Sequence, residues 1–202
     1  MTKKIVDHLL DTQIKSGLLD DNAVPIYRYG YTLLIEVSIN FALALIVGLI
    51  MGEIGIVLLF NLAFIPLRGF CGGWHAEKSW VCTIASLAVL ILSVIVGKFK
   101  LIQYGMNLWI LLMIIACIVI LCLAPIDTEA KRLSISEVKH YKSIIRVIMA
   151  VELICFILLV CFKLYKYAGI ICSVFYIQSC SLLISLVMDK IYRIRKGHEG
   201  RK

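Results

Sequence analysis

Among the residues of this chain able to do chemistry, a histidine and a cysteine stand close together in polar sequence. They are His75 and Cys82, within Arg68-Gly69-Phe70-Cys71-Gly72-Gly73-Trp74-His75-Ala76-Glu77-Lys78-Ser79-Trp80-Val81-Cys82. A thiolate is a nucleophile, and a neighbouring imidazole both favours the thiolate and can later hand a proton to a departing amine. On one straight helix, residues seven apart share a face but lie about 10 Å apart along the axis, too far to hydrogen-bond. The pair can meet only if His75 sits on an irregular segment folded back over the helix start that carries Cys82. There, unpaired helix N–H groups also favour the thiolate. Gly69, Gly72 and Gly73 suit such a segment, because a glycine in a helix interior costs about 1 kcal/mol relative to alanine.

Residue type alone leaves a second description open, in which His75 is a satisfied structural histidine at a membrane interface and Cys82 a small helix hydrophobe. Spacing does not decide between the two. Arg68 suits a substrate carboxylate or a headgroup anchor. Lys131 and Arg132 suit an acidic peptide tail, and equally suit topology determinants. Glu77, Asp127 and Asn61 are each able to orient His75, and none stands out as a third catalytic group. Six further cysteines (Cys117, Cys122, Cys155, Cys161, Cys172, Cys180) lie inside apolar runs and Cys71 belongs to no CxxC pair, so no metal site and no cofactor is expected.

The elements that must position this segment are apolar helices. Of 202 residues, 61% are hydrophobic and 17% charged, more apolar and less charged than an ordinary soluble domain. The fold class predicted is all-α, a polytopic helical membrane protein forming one domain over residues 1–202. Ile5, Leu9, Leu10, Ile14 and Leu18 recur at helical spacing among Lys3, Lys4, Asp7, Asp11 and Lys15. This predicts an amphipathic helix over residues 1–20, lying in the membrane interface or packed on the protein's own cytoplasmic face. The first twenty residues lack the apolar core and small-residue cleavage site of a secretory signal, so the N-terminus is expected to be retained. Beyond it lie six spans, Leu33–Ile50, Ile54–Pro66, Ser79–Val96, Gly105–Leu123, Val147–Phe162 and Ala168–Met188. The second is short, about 20 Å of helix against ~30 Å of hydrocarbon. Either its helix continues past Pro66 or the glycine-rich segment after it is sunk below the membrane surface. The polar connection Ala124–Arg146 carries Ile135, Val138, Tyr141, Ile144 and Ile145 at helical spacing. Glu36 and Glu152, ionisable within spans, are expected to face inward or lie near an interface.

A net charge of +8 is better explained by membrane topology than by nucleic acid. Counted on alternate sides, 17 Lys and Arg residues fall on the side of both termini and 4 on the other. The positive-inside rule then places both termini, the 67–78 and 124–146 connections and the basic 189–202 tail in the cytoplasm, in a multi-pass cell-membrane protein.

The segment Arg68, three residues, Gly72-Gly73, one residue, His75-Ala76, then Cys82 resembles the AgrB (accessory gene regulator protein B) family of propeptide-processing membrane endopeptidases in Gram-positive quorum sensing. Tyr29-Gly30 before the first span and Ala124-Pro125-Ile126-Asp127-Thr128 also look like the family, and span layout fits over nearly the whole chain. The resemblance implies a cysteine endopeptidase with Cys82 as nucleophile and His75 as its partner. It implies an AgrD-type propeptide as substrate, with its C-terminal tail removed and the remainder held as an acyl-enzyme until a substrate thiol or hydroxyl closes a ring. It implies a homodimer in the lipid bilayer, and assigns Cys71 no role. Arg68, Gly72, Gly73, Asp127, Lys131 and Arg132 would bind substrate or shape the site. Two other classes fit six spans with buried carboxylates: a small peptide transporter, and a structural or pore-forming protein in which neither His75 nor Cys82 matters.

Overall fold

The computed structural model describes residues 2–20, 23–73, 79–99, 104–126 and 134–199. Among them there is no strand, and seven helices account for most of these residues: α1 (Thr2–Lys15), α2 (Val24–Met51), α3 (Ile54–Cys71), α4 (Ser79–Lys98), α5 (Met106–Leu123), α6 (Ile135–Cys161) and α7 (Tyr165–Glu199). Six of these, all but α1, are long and apolar enough to cross a membrane. The all-helical, six-span reading of the sequence holds.

α1 turns Val6 and Leu10, each 1% exposed, onto the first turns of α2, where Val24, Tyr31 and Ile35 receive them. Gln13 Nε2 donates to the Tyr31 hydroxyl at 2.6 Å and Arg28 pairs with Asp7 across the same seam. The apolar stripe of α1 is thus largely spent on the protein, although Ile5, Leu9 and Leu18 remain exposed.

α2 begins with a proline in its first turn, where the missing N–H is no loss. It ends on Gly52, whose φ of 68° is left-handed. Glu53 N–H reaches back to Gly48 O (2.9 Å) and Gly52 N–H to Leu49 O (3.2 Å), so the last carbonyls are satisfied by a Schellman turn. α3 runs 18 residues, straight through Pro66, and at ~1.5 Å per residue it spans about 27 Å. The first of the two alternatives for the short span is the one realised. Leu67 and Cys71, both 0% exposed, carry the buried face of α3 beyond the proline, and Phe70 meets the Tyr141 ring edge-on at 5.5 Å between centroids.

A capping box sets the start of α6: Ser134 Oγ accepts from Glu137 N–H and the Glu137 carboxylate accepts from Ser134 N–H. From that cap the helix is unbroken to Cys161, so residues 135–146 are the first turns of the fifth span and not a separate piece of the connection. α7 is the centre of the bundle. It packs against α3, α4, α5 and α6, and half of its apolar stretch is buried against 11% for α2. Lys166 in its first turn pairs with Glu53, the residue that precedes α3.

Candidate active site

Cys82 lies in the first turns of α4, a helix starting at Ser79. The opening turns of a helix carry N–H groups without intrahelical partners and the positive end of its dipole. Its thiol is half-buried and lines a cavity of about 570 Å³ enclosed by α2, α3, α4 and α7, within the ~300–1,000 Å³ typical of ligand sites. Most of the wall is apolar, with Phe41, Phe60, Phe64, Leu90, Tyr176 and Ile184 contributing. Near Cys82 it turns polar: Ser86, one helical turn on, is within hydrogen-bonding reach of the sulfur, and the charges of Arg68 and Glu36 act on it.

The wall opposite is the exit of α3. Gly72 has φ 70° and ψ −152°, a region that essentially only glycine visits, and Gly73 has φ 129°. Space adds to the dihedrals at Gly72, where a Cβ would stand 2.8 Å from the backbone oxygen of Ile126, whereas one on Gly73 would meet the movable tip of the Arg68 side chain. Gly69, by contrast, is inside α3 with open space around it, so only two of the three glycines belong to the irregular backbone.

Hydrogen bonds from three directions hold this turn. The Gly72 carbonyl accepts from Arg68 Nη1 at 2.9 Å and from Gln178 Nε2 of α7 at 3.0 Å. Arg68 Nη1 also donates to Ser181 Oγ on α7. Ile126 N–H donates to Cys71 O at 3.1 Å, which seats the Ala124-Pro125-Ile126 stretch directly on the turn. Two sequence elements 53 positions apart (Gly73 and Ile126) therefore meet here.

Of the residues singled out in the sequence, Arg68, Gly72, Gly73 and Cys82 line this one cavity. His75, Glu77, Asp127, Lys131 and Arg132 lie outside the described residues. Asn61 lines the cavity too, but its amide donates back to Val57 O at 2.8 Å within its own helix. Arg68 is occupied as a buttress of the glycine turn. Cys71 is 0% exposed and packs in the hydrophobic core, apart from the cavity wall. Glu36 faces the cavity. Glu152 is 6% exposed, and neither carboxylate oxygen has a hydrogen-bond partner among the described residues.

Sequence reasoning missed Gln178, Ser181 and Asn40. Asn40 lines the cavity one turn beyond Glu36 and its Oδ1 is buried without a partner. The available signal was polarity inside apolar runs, since such residues are costly in a span and so tend to face the interior.

A family model described as Accessory gene regulator B matches residues 2–182. Protein FsrB of Enterococcus faecalis is 26% identical over 126 residues, 61% of this chain and 52% of that protein, so the match spans about half its length. A putative AgrB-like protein of Listeria welshimeri is 29% identical over 176 residues, covering 85% of this chain and 83% of the relative. Putative AgrB-like protein 2 of Clostridium perfringens is 27% identical over 146 residues, 66% and 65% of the two chains. No solved structure matches.

Proposed function

The chain belongs to the accessory gene regulator B family, whose role is propeptide processing in quorum sensing, and from that premise we propose that it is a membrane cysteine endopeptidase acting through Cys82 and His75. One observation carries the reading. The thiol of Cys82, at a helix start, and the Gly72–Gly73 turn, two residues before His75, face the same cavity. Two peptide units carry a chain at most about 7 Å, a reach that supports His75 as the partner of the thiol. The core location of Cys71 supports Cys82 as the nucleophile of the two.

The substrate is a propeptide of AgrD type. The Cys82 thiolate attacks the scissile carbonyl carbon, and the electron pair of its C=O bond moves onto oxygen. As the tetrahedral species collapses, the C–N bond breaks and the His75 imidazolium gives its proton to the departing amine. The C-terminal tail leaves with a new amino terminus, and the rest remains as a thioester on Cys82. A substrate thiol or hydroxyl then attacks the thioester carbonyl, losing its proton to His75. This forms the ring and returns Cys82 as the leaving thiolate.

Asp127, Lys131 and Arg132 are assigned to the acidic tail and its orientation. Both termini and the site face the cytoplasm in this reading, and the enzyme works as a homodimer. Unpartnered Glu152 is the observation that favours the transporter alternative. The deciding experiment is Cys82→Ala in membranes supplied with an AgrD-type propeptide. Cleavage and the thioester adduct on the protein should both vanish while thermal stability stays within a few degrees. Cleavage at near wild-type rate by Cys82→Ala would exclude a cysteine peptidase.

A further inference from the structure

We infer that Gln178 is a positioning residue for the proposed site, the amide that sets the Gly72–Gly73 turn relative to the helix that carries Cys82. The inference rests on the reading that His75 and Cys82 act together.

Gln178 is 0% exposed in the middle of α7. Its Nε2 donates to the Gly72 carbonyl at 3.0 Å, whereas its Oε1 is buried with no partner among the described residues. An unpaired buried acceptor is a cost that leucine at the same place would not incur. Stability therefore does not account for an amide here. What the amide adds is direction at a place where the backbone has least of its own, two successive glycines with positive φ, the residue type with the widest choice of conformations. Arg68 reaches the same carbonyl from one turn back in α3 and is itself held to α7 through Ser181. Gln178 reaches it from a helix that also packs against α4, the carrier of Cys82. Its hydrogen bond ties a side chain of the central helix to the turn's own backbone, and it fixes the turn relative to the nucleophile.

The test uses full-length protein in liposomes and reads alkylation of Cys82 by iodoacetamide, quantified at that residue by mass spectrometry. His75→Ala should slow alkylation at neutral pH by roughly tenfold, the effect of losing an imidazole that favours the thiolate. Gln178→Leu, apolar and of similar length, should slow it by roughly three- to tenfold without lowering thermal stability. The double variant should be no slower than His75→Ala alone, because a residue that acts through His75 has nothing to lose once the imidazole is gone. Gln178→Glu should recover alkylation relative to wild type as pH falls, since only its protonated carboxyl can donate to the Gly72 carbonyl. An unchanged rate in Gln178→Leu, or an effect that persists undiminished beside His75→Ala, overturns the inference. An unchanged rate in His75→Ala means instead that the pairing of His75 with Cys82 is wrong.

Discussion

α3 is bounded by a glycine turn at each end, and the two turns are held in opposite ways. At its start, Gly52 adopts φ 68°, yet a Cβ there would touch nothing within 4 Å. The turn is satisfied by backbone groups of the same chain a few residues back. At its end, Gly72 adopts φ 70°, almost the same angle, but it is walled in by Ile126 and its carbonyl is taken by side chains from α3 and α7. The backbone groups of the first turn are satisfied locally, and its tie to α7 runs through a side chain, the Glu53–Lys166 ion pair. The turn that borders the cavity has its own backbone held by groups remote in sequence, one of them a buried amide.

The largest effect should come from Gly72→Ala. The substitution needs a Gly-only conformation and pushes against a backbone oxygen that cannot swing aside, so the turn must shift by the better part of an ångström. Displacement on that scale costs about 100-fold in catalysis, and propeptide cleavage should fall at least that far even in the fraction that folds. Gly52→Ala should lower stability by about 1–2 kcal/mol, the penalty of a left-handed L-residue, as read by thermal unfolding in detergent. Its activity per folded molecule should match wild type. Equal losses of activity in the two variants would erase the distinction between the turns. The smallest effect is expected from Cys71→Ala: it is the carbonyl of Cys71 that binds Ile126, and a carbonyl survives the substitution. Losing the buried sulfur should cost about 1 kcal/mol of stability and leave cleavage within twofold of wild type. A severe loss of cleavage there would give the core thiol a role that its burial does not suggest.

The architecture was legible because its signals are local. Apolar runs of span length mark α2 and α4 to α7, and Gly52 marks the break between α2 and α3. The reach of α3 was not, since Pro66 and Gly69 both argue for an earlier end by propensity. Burial of Leu67 and Cys71, with Phe70 set against Tyr141, outweighs them. The start of α6 stood in plain view as Ser134-x-x-Glu137, a capping box directly ahead of a helical pattern. Of the site, the sequence marks which residues are chemically able, through Arg68, the glycines and Cys82. That Gln178 meets Gly72, or Ile126 meets Cys71, depends on helix packing that no window of sequence contains.

The ion pair of Glu53 with Lys166 acquires a meaning beside the hydrogen bond of Gln178 to Gly72. One lies at the start of α3 and the other at its end, and both partners are on α7. A rod fastened at two points to the same support has lost its freedom to slide along its own axis. Sliding by a single helical turn, about 5.4 Å, would break both fastenings at once. α3 is thus tied to α7 at both of its ends, and α2, the least buried of the four helices around the cavity, is the wall left with most freedom to give.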